Sequence, residues 1–413
     1  MELLAPAGGR AQLEAAIRFG ADAVYLATDR FGMRARADNF PLDQIPAAVS
    51  YAHERGVAVH VTLNTLMHGH DLDELPSYLK ALAEAGADAF IVSDLGAFSL
   101  AKRYAPEVSL HVSTQASVAN AEAARMWHEL GASRIVCARE LSLDEIARLR
   151  RDAPADLEIE TFAHGAMCMA VSGRCLLSTA MTGRSGNQGA CAQPCRWNYA
   201  VVEETRPGVA MSVEEDDFGS YVMNAQDLCM IEHLGELAEA GVDSIKLEGR
   251  NKRAFYVANV VAAYRAVLDG ADPSSVKDQL NAVSHRPYST GFYFGRATQS
   301  PERDGYLKER LHAGTVLECE GDGPYRVRFR CQNRIFEGDE LQALSPGRPP
   351  FAVIARNIRW YPAPSPEDAH PRPVNVAVAN RTGDIYAIDA EEPLSPGDFL
   401  STPSRPEDQA WQR

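Results

Sequence analysis

The sequence lacks a long apolar run and an excess of basic residues, and its first residues do not resemble a secretory signal. No stretch reaches the roughly 18 apolar residues that a membrane-spanning helix requires, which excludes an integral membrane protein. Lysine and arginine number 41 against 56 aspartate and glutamate, a formal net charge of −15, so a nucleic-acid-binding protein with a broad basic surface is excluded. The opening residues MELLAPAGG have neither the basic nor the apolar region of a secretory signal. We therefore expect a cytoplasmic protein that does not bind membranes.

Three motifs of common enzyme classes are also missing. The turn after the first apolar segment, Pro6–Arg10, does not match the glycine fingerprint of dinucleotide-binding sheets. There is no Gly-x-Ser-x-Gly elbow of a serine hydrolase. His53 and Glu54 are followed by Arg-Gly-Val, which breaks the His-Glu-x-x-His pattern of a zinc peptidase helix.

The sequence does contain a repeated unit in which a glycine follows a helical segment and precedes an apolar strand. A glycine at this place is typical of a left-handed helix cap before a buried parallel strand. It occurs five times, at Gly20, Gly56, Gly86, Gly131 and Gly241. The predicted strands are residues 2–5, 23–27, 58–63, 89–93, 109–114, 134–138, 158–163 and 244–248. Eight such units within residues 1–270 predict an α/β fold, a TIM-like (β/α)8 barrel.

The barrel pattern is interrupted and then followed by other structure. Residues 165–225 form a long insertion after the seventh strand, and Asp227 is expected to start the seventh helix. Residues 271–310 read as a linker with a helix start and an aromatic segment. Short alternating runs in 311–403 predict a small all-β domain, a second barrel, and 404–413 read as a loose tail.

In a (β/α)8 barrel the active site lies in the loops after the strands' carboxyl ends. Polar residues follow nearly every predicted strand there: Tyr25, Asn64, Asp94, Thr114, Gln115, Arg139, Glu140, His164, Glu248 and Arg250. One such residue alone is usually a helix cap or a satisfied buried group, but their recurrence favours a site. The predicted catalytic residues among them are His164, Glu248, Arg139 and Gln115, with Asn64 and Arg250 predicted to bind substrate.

Four of the eight cysteines lie in the insertion, at Cys168, Cys175, Cys191 and Cys195. Since disulfides are disfavoured in the cytoplasm, clustered thiols point to a metal site. Only the last pair has the short spacing typical of structural zinc, so a [4Fe–4S] cluster fits at least as well. Cys229, at the expected helix start, is the spare ligand candidate, and Cys137, Cys319 and Cys331 read as small buried apolar residues.

The charge of the insertion agrees with an anionic occupant. Residues 161–200 contain Arg174, Arg184 and Arg196 but no carboxylate. Nearby arginines stabilise a thiolate-bound cluster, and they equally suit an anionic substrate.

Long ordered motifs resemble the collagenase-like peptidase family of unassigned catalytic type, peptidase family U32. They include HGAMCMAVSGRC at residues 164–175 and GACAQPCRW at 189–197. The remaining segments that carry the resemblance are residues 34–40, 113–117, 246–250 and 285–292. The resemblance covers nearly the whole chain and is weakest beyond about residue 340.

The resemblance implies two different functions. Some family members are labelled proteases, whereas better understood relatives take part in oxygen-independent hydroxylation of a tRNA wobble uridine, a ribosomal RNA cytidine or quinone precursors. Several of these hold a [4Fe–4S] cluster on four cysteines, and prephenate is implicated in the RNA branches. The pair Cys191 and Cys195 makes this sequence most similar to the tRNA branch. A peptidase with Cys168 as nucleophile beside His164 is the second interpretation, because it leaves the other three cysteines without a role.

For the hydroxylase we expect a small dicarboxylate such as prephenate to be bound by arginines at the barrel mouth. The arginine candidates are Arg34, Arg36, Arg139, Arg174 and Arg250. Candidates for stacking on an extruded RNA base are Phe31, Phe40, Trp197, Tyr256 and Tyr288. The basic stretch 245–256 would contact phosphates, and a paralogous protein partner or the β domain would supply further tRNA contacts.

Overall fold

The computed structural model describes most of the chain in two compact units. The described residues are 1–33, 38–167, 175, 177–194, 200–202, 210–212, 215–216, 219–220, 226–295, 297, 307–364 and 371–405. The first unit comprises Met1–Pro273 with His285–Tyr306, and the second comprises Ser274–Ser284 with the chain from Leu307. The segment 271–310 is thus divided between the two units.

The first unit is a closed barrel of eight parallel strands, which confirms the predicted fold. Each strand pairs with the next, and the eighth pairs with both the seventh and the first, so the sheet closes. The strands are β1 (Glu2–Ala7), β2 (Ala23–Leu26), β3 (Ala58–Leu63), β4 (Ala89–Val92), β5 (Ser109–Val112), β6 (Arg134–Val136), β7 (Glu158–Ala166) and β8 (Ser244–Leu247).

Helices follow the strands as expected for βα units. They are α1 (Arg10–Arg18), α2 (Ile45–His53), α3 (Gly69–Glu84), α4 (Leu95–Tyr104), α5 (Ala121–Leu130), α6 (Leu143–Asp152), α7 (Leu177–Thr182), α8 (Leu234–Glu239) and α9 (Ala254–Leu268). Short 3-10 turns lie at Leu42–Gln44, Thr114–Ala116, Gly186–Gln188, Ile231–His233 and Pro273–Val276. All five predicted cap glycines have positive φ, for example +109° at Gly131, where an L side chain would be strained.

The insertion between β7 and α8 contains α7 and several short strands. Ala200–Val202 pairs with Ala210–Ser212, and Glu215–Asp216 pairs with Gly219–Ser220. Asp227 does not begin a helix, contrary to the prediction. Asp227–Cys229 is a short strand that runs antiparallel to the end of β7, and α8 begins only at Leu234, because β7 is long enough to offer a free edge there.

A network of buried ion pairs lies inside the barrel near the amino ends of β6, β7, β8 and β1. The buried Arg134 contacts Glu2 at 2.6 Å, Glu160 at 3.1 Å and, at the rim of the network, the half-exposed Glu158 at 2.8 Å. Lys246 Nζ lies 2.9 Å from the other oxygen of the fully buried Glu160. Because an unpaired buried charge is costly, these partners hold the four strands around the point of closure in register.

Two buried histidines lie above this network. The rings of His60 on β3 and His111 on β5 meet edge to face with centroids 4.8 Å apart. Burial lowers the pKa of His60 to about 4 and that of His111 well below its ordinary value. Both imidazoles are therefore neutral in the folded protein at neutral pH.

The second unit is an antiparallel sheet of eight strands and one short helix, α10 (Lys277–Asn281). Its strands are β9 (Arg310–Glu320), β10 (Tyr325–Cys331), β11 (Glu340–Leu344), β12 (Phe351–Ile354), β13 (Arg356–Tyr361), β14 (Val374–Asn375), β15 (Ile385–Ala390) and β16 (Phe399–Pro403). They lie in the order β12-β11-β16-β9-β10-β15-β13-β14 around a core that includes Phe329, Tyr386 and Leu400. Among the strands described, no ladder joins β12 to β14, so the predicted second barrel is a half-barrel. A two-residue ladder joins Ile335–Phe336 to Val378–Ala379.

Within the described residues, no helix is both long enough and apolar enough to span a bilayer.

The buried histidines predict acid sensitivity. In the unfolded chain His60 has the ordinary histidine pKa of about 6.5, so it binds a proton below that pH, whereas the folded protein keeps His60 neutral down to about pH 4. The free energy of unfolding therefore falls as the pH decreases through this range. For His60 alone the loss approaches about 3 kcal/mol by pH 4. Urea denaturation between pH 7.5 and pH 4 should therefore show a shallower loss in His60→Gln than in the wild-type protein. The matched control is His70→Gln, whose imidazole is exposed; equal slopes in wild type and His60→Gln would contradict the assignment.

Candidate functional site

The loops after β6, β7 and β8 meet around Arg139 at the carboxyl end of the barrel. The Arg139 guanidinium donates to the Ala166 carbonyl oxygen over 2.9 Å and lies 3.8 Å from a carboxylate oxygen of Glu248. Its central carbon lies 3.7 Å from the centroid of the Phe162 ring. The structure thus brings two of the predicted catalytic residues, Arg139 and Glu248, together beside the Phe162 ring, which sequence reasoning missed.

A second polar group lies at the ends of β3 and β5. Asn64 accepts a hydrogen bond from the Met33 amide and donates to Ser113 Oγ over 3.3 Å. The main-chain N–H of Gln115 donates to the same Ser113 hydroxyl over 3.4 Å. The side-chain oxygen of Gln115 is buried without a hydrogen-bond partner in the part of the chain that is described. Ser113 therefore couples Asn64 to Gln115.

Arg250 links the β8 loop to β3. Its side chain is buried, and it donates to the Thr62 hydroxyl over 2.9 Å. Its carbonyl oxygen lies so close to Gly8 that a Cβ there would approach to 1.9 Å. Only a glycine after β1 allows the two loops to meet this closely.

A β-bulge in β7 divides the predicted residues between two sides of the sheet. Lys246 pairs with Phe162, but Leu247 pairs with His164, so β7 has one extra residue at Ala163. Lys246 and Phe162 face the interior, where Lys246 also lies over the Tyr25 ring. His164 consequently turns outward with Leu247, towards α9. It does not lie with Arg139 and Glu248, although its carbonyl oxygen accepts from the Glu248 amide over 2.8 Å.

His164 lies in a buried aromatic pocket. Tyr256 and Tyr264 of α9 and Tyr288 surround its ring at centroid distances of 6.2, 5.4 and 5.3 Å. Burial, followed by the nearby His285 and Lys252, lowers the pKa of His164 to about 3. The imidazole is therefore neutral, and its Nε2 has no hydrogen-bond partner among the residues described.

Of the four predicted cysteine ligands, Cys175 and Cys191 are described, and both are free and partly exposed thiols. Both adjoin the turn Gly186–Gln188. Asn187 donates to the Cys175 carbonyl oxygen, and a Cβ on Gly186 would lie 3.7 Å from Cys191 Sγ. The Gln193 amide donates to Cys191 Sγ over 3.3 Å. A backbone N–H directed at sulfur stabilises a thiolate, so these two residues fit a thiolate-ligated metal group.

Several other predicted site residues lie outside the described residues: Cys168, Cys195, Arg34, Arg36, Arg174 and Trp197. In the part of the chain that is described, no group of three or more His, Cys, Asp or Glu side chains has a metal-binding arrangement. The four-cysteine site stays a prediction.

The structure gives the remaining cysteines different environments. Cys229 lies on the short strand opposite His164, and the Tyr264 hydroxyl is 3.9 Å from its sulfur. Burial raises the pKa of Cys137 to about 12 and that of Cys331 to about 11, as befits inert buried thiols. Cys319 is only partly buried.

The proposed RNA-contacting residues are mostly unsuited to that role. Phe31, Phe40 and Tyr256 are buried, so they are core residues rather than stacking platforms. Tyr288 is partly exposed but already stacks on His285 with centroids 4.2 Å apart. In the basic stretch, Lys246 and Arg250 are buried in the barrel, which leaves Lys252 and Arg253 nearer the surface.

Comparison of the sequence with known proteins identifies its family. The profile of Peptidase family U32 matches residues 8–303. The chain belongs to Peptidase family U32. It is 36% identical over 397 residues to tRNA hydroxylation protein P1 of Bacillus subtilis, covering 93% of each chain.

Two other U32 relatives have different names. The 23S rRNA 5-hydroxycytidine C2501 synthase of Escherichia coli is 40% identical over 269 residues, which are 65% of this chain and 39% of that protein. A collagenase of Porphyromonas gingivalis is 34% identical over 338 residues, covering 77% of this chain and 80% of that protein. The relatives of this chain thus include proteins named for RNA hydroxylation and a protein named collagenase.

Gly165, at the end of β7, lies too close to Glu248 to tolerate a larger side chain. It has φ of +103°, and a Cβ there would lie 2.4 Å from the Glu248 carbonyl oxygen. We expect Gly165→Ala to lower the free energy of unfolding by about 3 kcal/mol and to displace Glu248 from Arg139. The measurement is urea denaturation.

Gly183→Ala is the matched control. Gly183 also has positive φ, +70°, but nothing lies within 4 Å of a Cβ there. We expect Gly183→Ala to lower the free energy of unfolding by only about 1 kcal/mol, the cost of placing an L side chain at positive φ. Equal destabilisation by both variants would show that the close approach to Glu248 is not the constraint.

Proposed function

We propose that this chain takes part in RNA hydroxylation and that its substrate is a tRNA wobble uridine, converted to 5-hydroxyuridine. The observation that carries the proposal is end-to-end similarity to a tRNA hydroxylation protein, over 93% of both chains. The rRNA synthase is matched over only 39% of its length. The tRNA substrate is therefore favoured over an rRNA cytidine, and nothing in the described site favours a quinone precursor.

The barrel mouth supports binding of a small dicarboxylate such as prephenate. The buried Nε–H of Arg139 has no hydrogen-bond partner among the described residues, and the 3.8 Å separation of Nη2 from Glu248 is too long for a hydrogen bond. A carboxylate of the substrate would accept from this guanidinium in a charge-assisted bond. Glu248 would then orient Arg139, and Phe162 would cover the opposite face of the guanidinium. Gln115 and Asn64 would offer neutral polar contacts from the other side of the mouth.

The insertion would hold an iron–sulfur cluster. Cys175 and Cys191 would be two of its ligands, with Cys168 and Cys195 as the others. When bound, a [4Fe–4S] cluster supplies one-electron transfer. The supporting observation is the Cys191 sulfur, which already accepts a backbone N–H as metal-bound thiolates do.

Binding of tRNA would be local. The net charge of −15 repels phosphate over most of the surface, so we expect affinity that falls steeply with salt. A paralogous partner would supply contacts that the partly buried Lys252 and the exposed Arg253 cannot provide alone.

The peptidase interpretation is supported by the names of two relatives, a collagenase and an uncharacterized protease, and opposed by the chemistry of His164. A cysteine nucleophile needs a base that becomes protonated as the thiolate forms. A pKa near 3 makes the imidazolium of His164 unfavourable at neutral pH, and its Nδ1 already faces Tyr264. Incubation with gelatin and casein tests this function: proteolysis that His164→Gln abolishes would revive it.

The substrate is tested by nucleoside analysis of tRNA from a strain that lacks this protein. We expect 5-hydroxyuridine derivatives to disappear and to return when the wild-type chain is supplied. Arg139→Ala should restore less than about a tenth of the wild-type level, because it removes a charge-assisted contact. Unchanged 5-hydroxyuridine derivatives in the deletion strain would refute the tRNA assignment.

The cofactor is tested by anaerobic purification. We expect a brown protein with about four iron and four sulfide per chain. Cys191→Ser should lose the colour and the iron. Cys229→Ser should keep them, and Cys319→Ser, in the second unit, is the matched control.

A colourless protein with one zinc would overturn the cluster proposal. Loss of iron in Cys229→Ser but not in Cys195→Ser would instead reassign the fourth ligand.

A further inference from the structure

The turn Gly186–Gln188 of the insertion is attached to the barrel mouth through Asn187. The Leu66 main-chain N–H donates to the Asn187 carbonyl oxygen over 2.7 Å. Leu66 lies in the loop after β3, two residues beyond Asn64. This loop is itself fixed at the mouth, because the Ser93 hydroxyl donates to the Asn64 carbonyl oxygen over 3.1 Å. The insertion therefore meets the barrel at a well-defined place.

Asn187 also contacts the cysteine-bearing chain on its other side. Its side-chain Nδ2 donates to the Cys175 carbonyl oxygen over 3.1 Å. The neighbouring Gly186 adjoins Cys191, since a Cβ on Gly186 would lie 3.7 Å from the Cys191 sulfur. Asn187 thus uses its main chain to hold the barrel and its side chain to hold Cys175. An aspartate could not make the second contact, because a carboxylate has no proton to donate.

Ser178 fixes Cys191 to the same part of the insertion. Its side chain is fully buried. Its hydroxyl accepts the main-chain N–H of Ala192, the residue after Cys191, over 2.9 Å and donates to the Arg184 carbonyl oxygen over 2.6 Å. The chain on either side of the turn is therefore held by contacts between protein atoms, and both thiols share the position of Asn187.

The strand order places this attachment opposite the charged side of the mouth. Arg139 follows β6 and Glu248 follows β8, so their contact lies at β7. In the closed barrel of eight strands, β3 and β7 are four strands apart in either direction, so they face each other across the mouth. A ligand bound at Arg139 would therefore lie between the charged side and the β3 loop that holds the insertion.

We propose that Asn187 is a positioning residue that joins Cys175 and Cys191 to the β3 side of the mouth, so that the thiols and the mouth form one composite site. A dicarboxylate held by Arg139 and the metal group held by the cysteines would then act within the same site. The attachment follows from the contacts of Asn187, whereas the role of the composite site rests on the proposed function.

The composite site is tested by EPR spectroscopy of the anaerobically purified, reduced protein, with prephenate as the added probe and its binding measured separately by calorimetry. In the wild-type protein, bound prephenate should shift the spectrum. Asn187→Ala should keep the iron, because all four cysteines remain, but lose the shift. Gln188→Ala is the matched control and should keep the shift, since Gln188 is the next residue of the turn and has an exposed amide side chain.

The attachment is tested by hydrogen exchange of the Leu66 amide, which requires neither iron nor ligand. The amide should be protected in the wild-type protein. Asn187→Ala and the isosteric Asn187→Asp should raise its exchange rate at least about fivefold, the factor that one ordinary hydrogen bond contributes. Gln188→Ala should leave the rate unchanged.

Three results would overturn the proposal. They are an unprotected Leu66 amide in the wild-type protein, an unchanged exchange rate in Asn187→Ala, and bound prephenate that shifts the spectrum of Asn187→Ala as it does the wild-type spectrum. The first needs no variant to fold. A colourless protein, or one that does not bind prephenate, would count against the proposed function, and the exchange rate of Leu66 would then decide the attachment alone.

Discussion

The barrel depends on the buried ion pairs that join β6, β7, β8 and β1. Arg134, Glu160, Lys246 and Glu2 come from four strands that must be adjacent for the sheet to close. Each of these charges would be costly if it were buried alone, so the closed arrangement is the one in which all are satisfied together. The positions of Arg139 and Glu248 follow from this, because they continue the same strands at the opposite end.

The bulge in β7 gives the molecule two chemically distinct regions from one strand. Phe162 stays in the interior with Lys246 and supports Arg139, while His164 turns towards α9 and its tyrosines. The charged group of Arg139 and Glu248 therefore lies on the inner face of the sheet, and the neutral aromatic pocket of His164 lies on its outer face. Gly165, with its close approach to Glu248, connects the two regions.

The barrel could be predicted from sequence because its strands are continuous apolar runs and its helices end on glycines that adopt positive φ. The grouping of Arg139 with Glu248 followed from the rule that parallel strands share one active end. The side on which His164 lies did not, because one extra residue in a strand leaves no mark on an apolar pattern. The basic stretch was misread for a similar reason: Lys246 is neutralised by Glu160, a partner 86 residues earlier. Tyr264 and Phe162 had no signal beyond being aromatic.

The pairing of Glu2 with Ser244 also sets an order of events during synthesis. These residues are 242 positions apart, so β1 has no permanent neighbour on one edge until β8 has been synthesised. Until then the incomplete barrel exposes an open edge along β1. The insertion between β7 and β8 emerges before β8, so it is synthesised before the barrel can close.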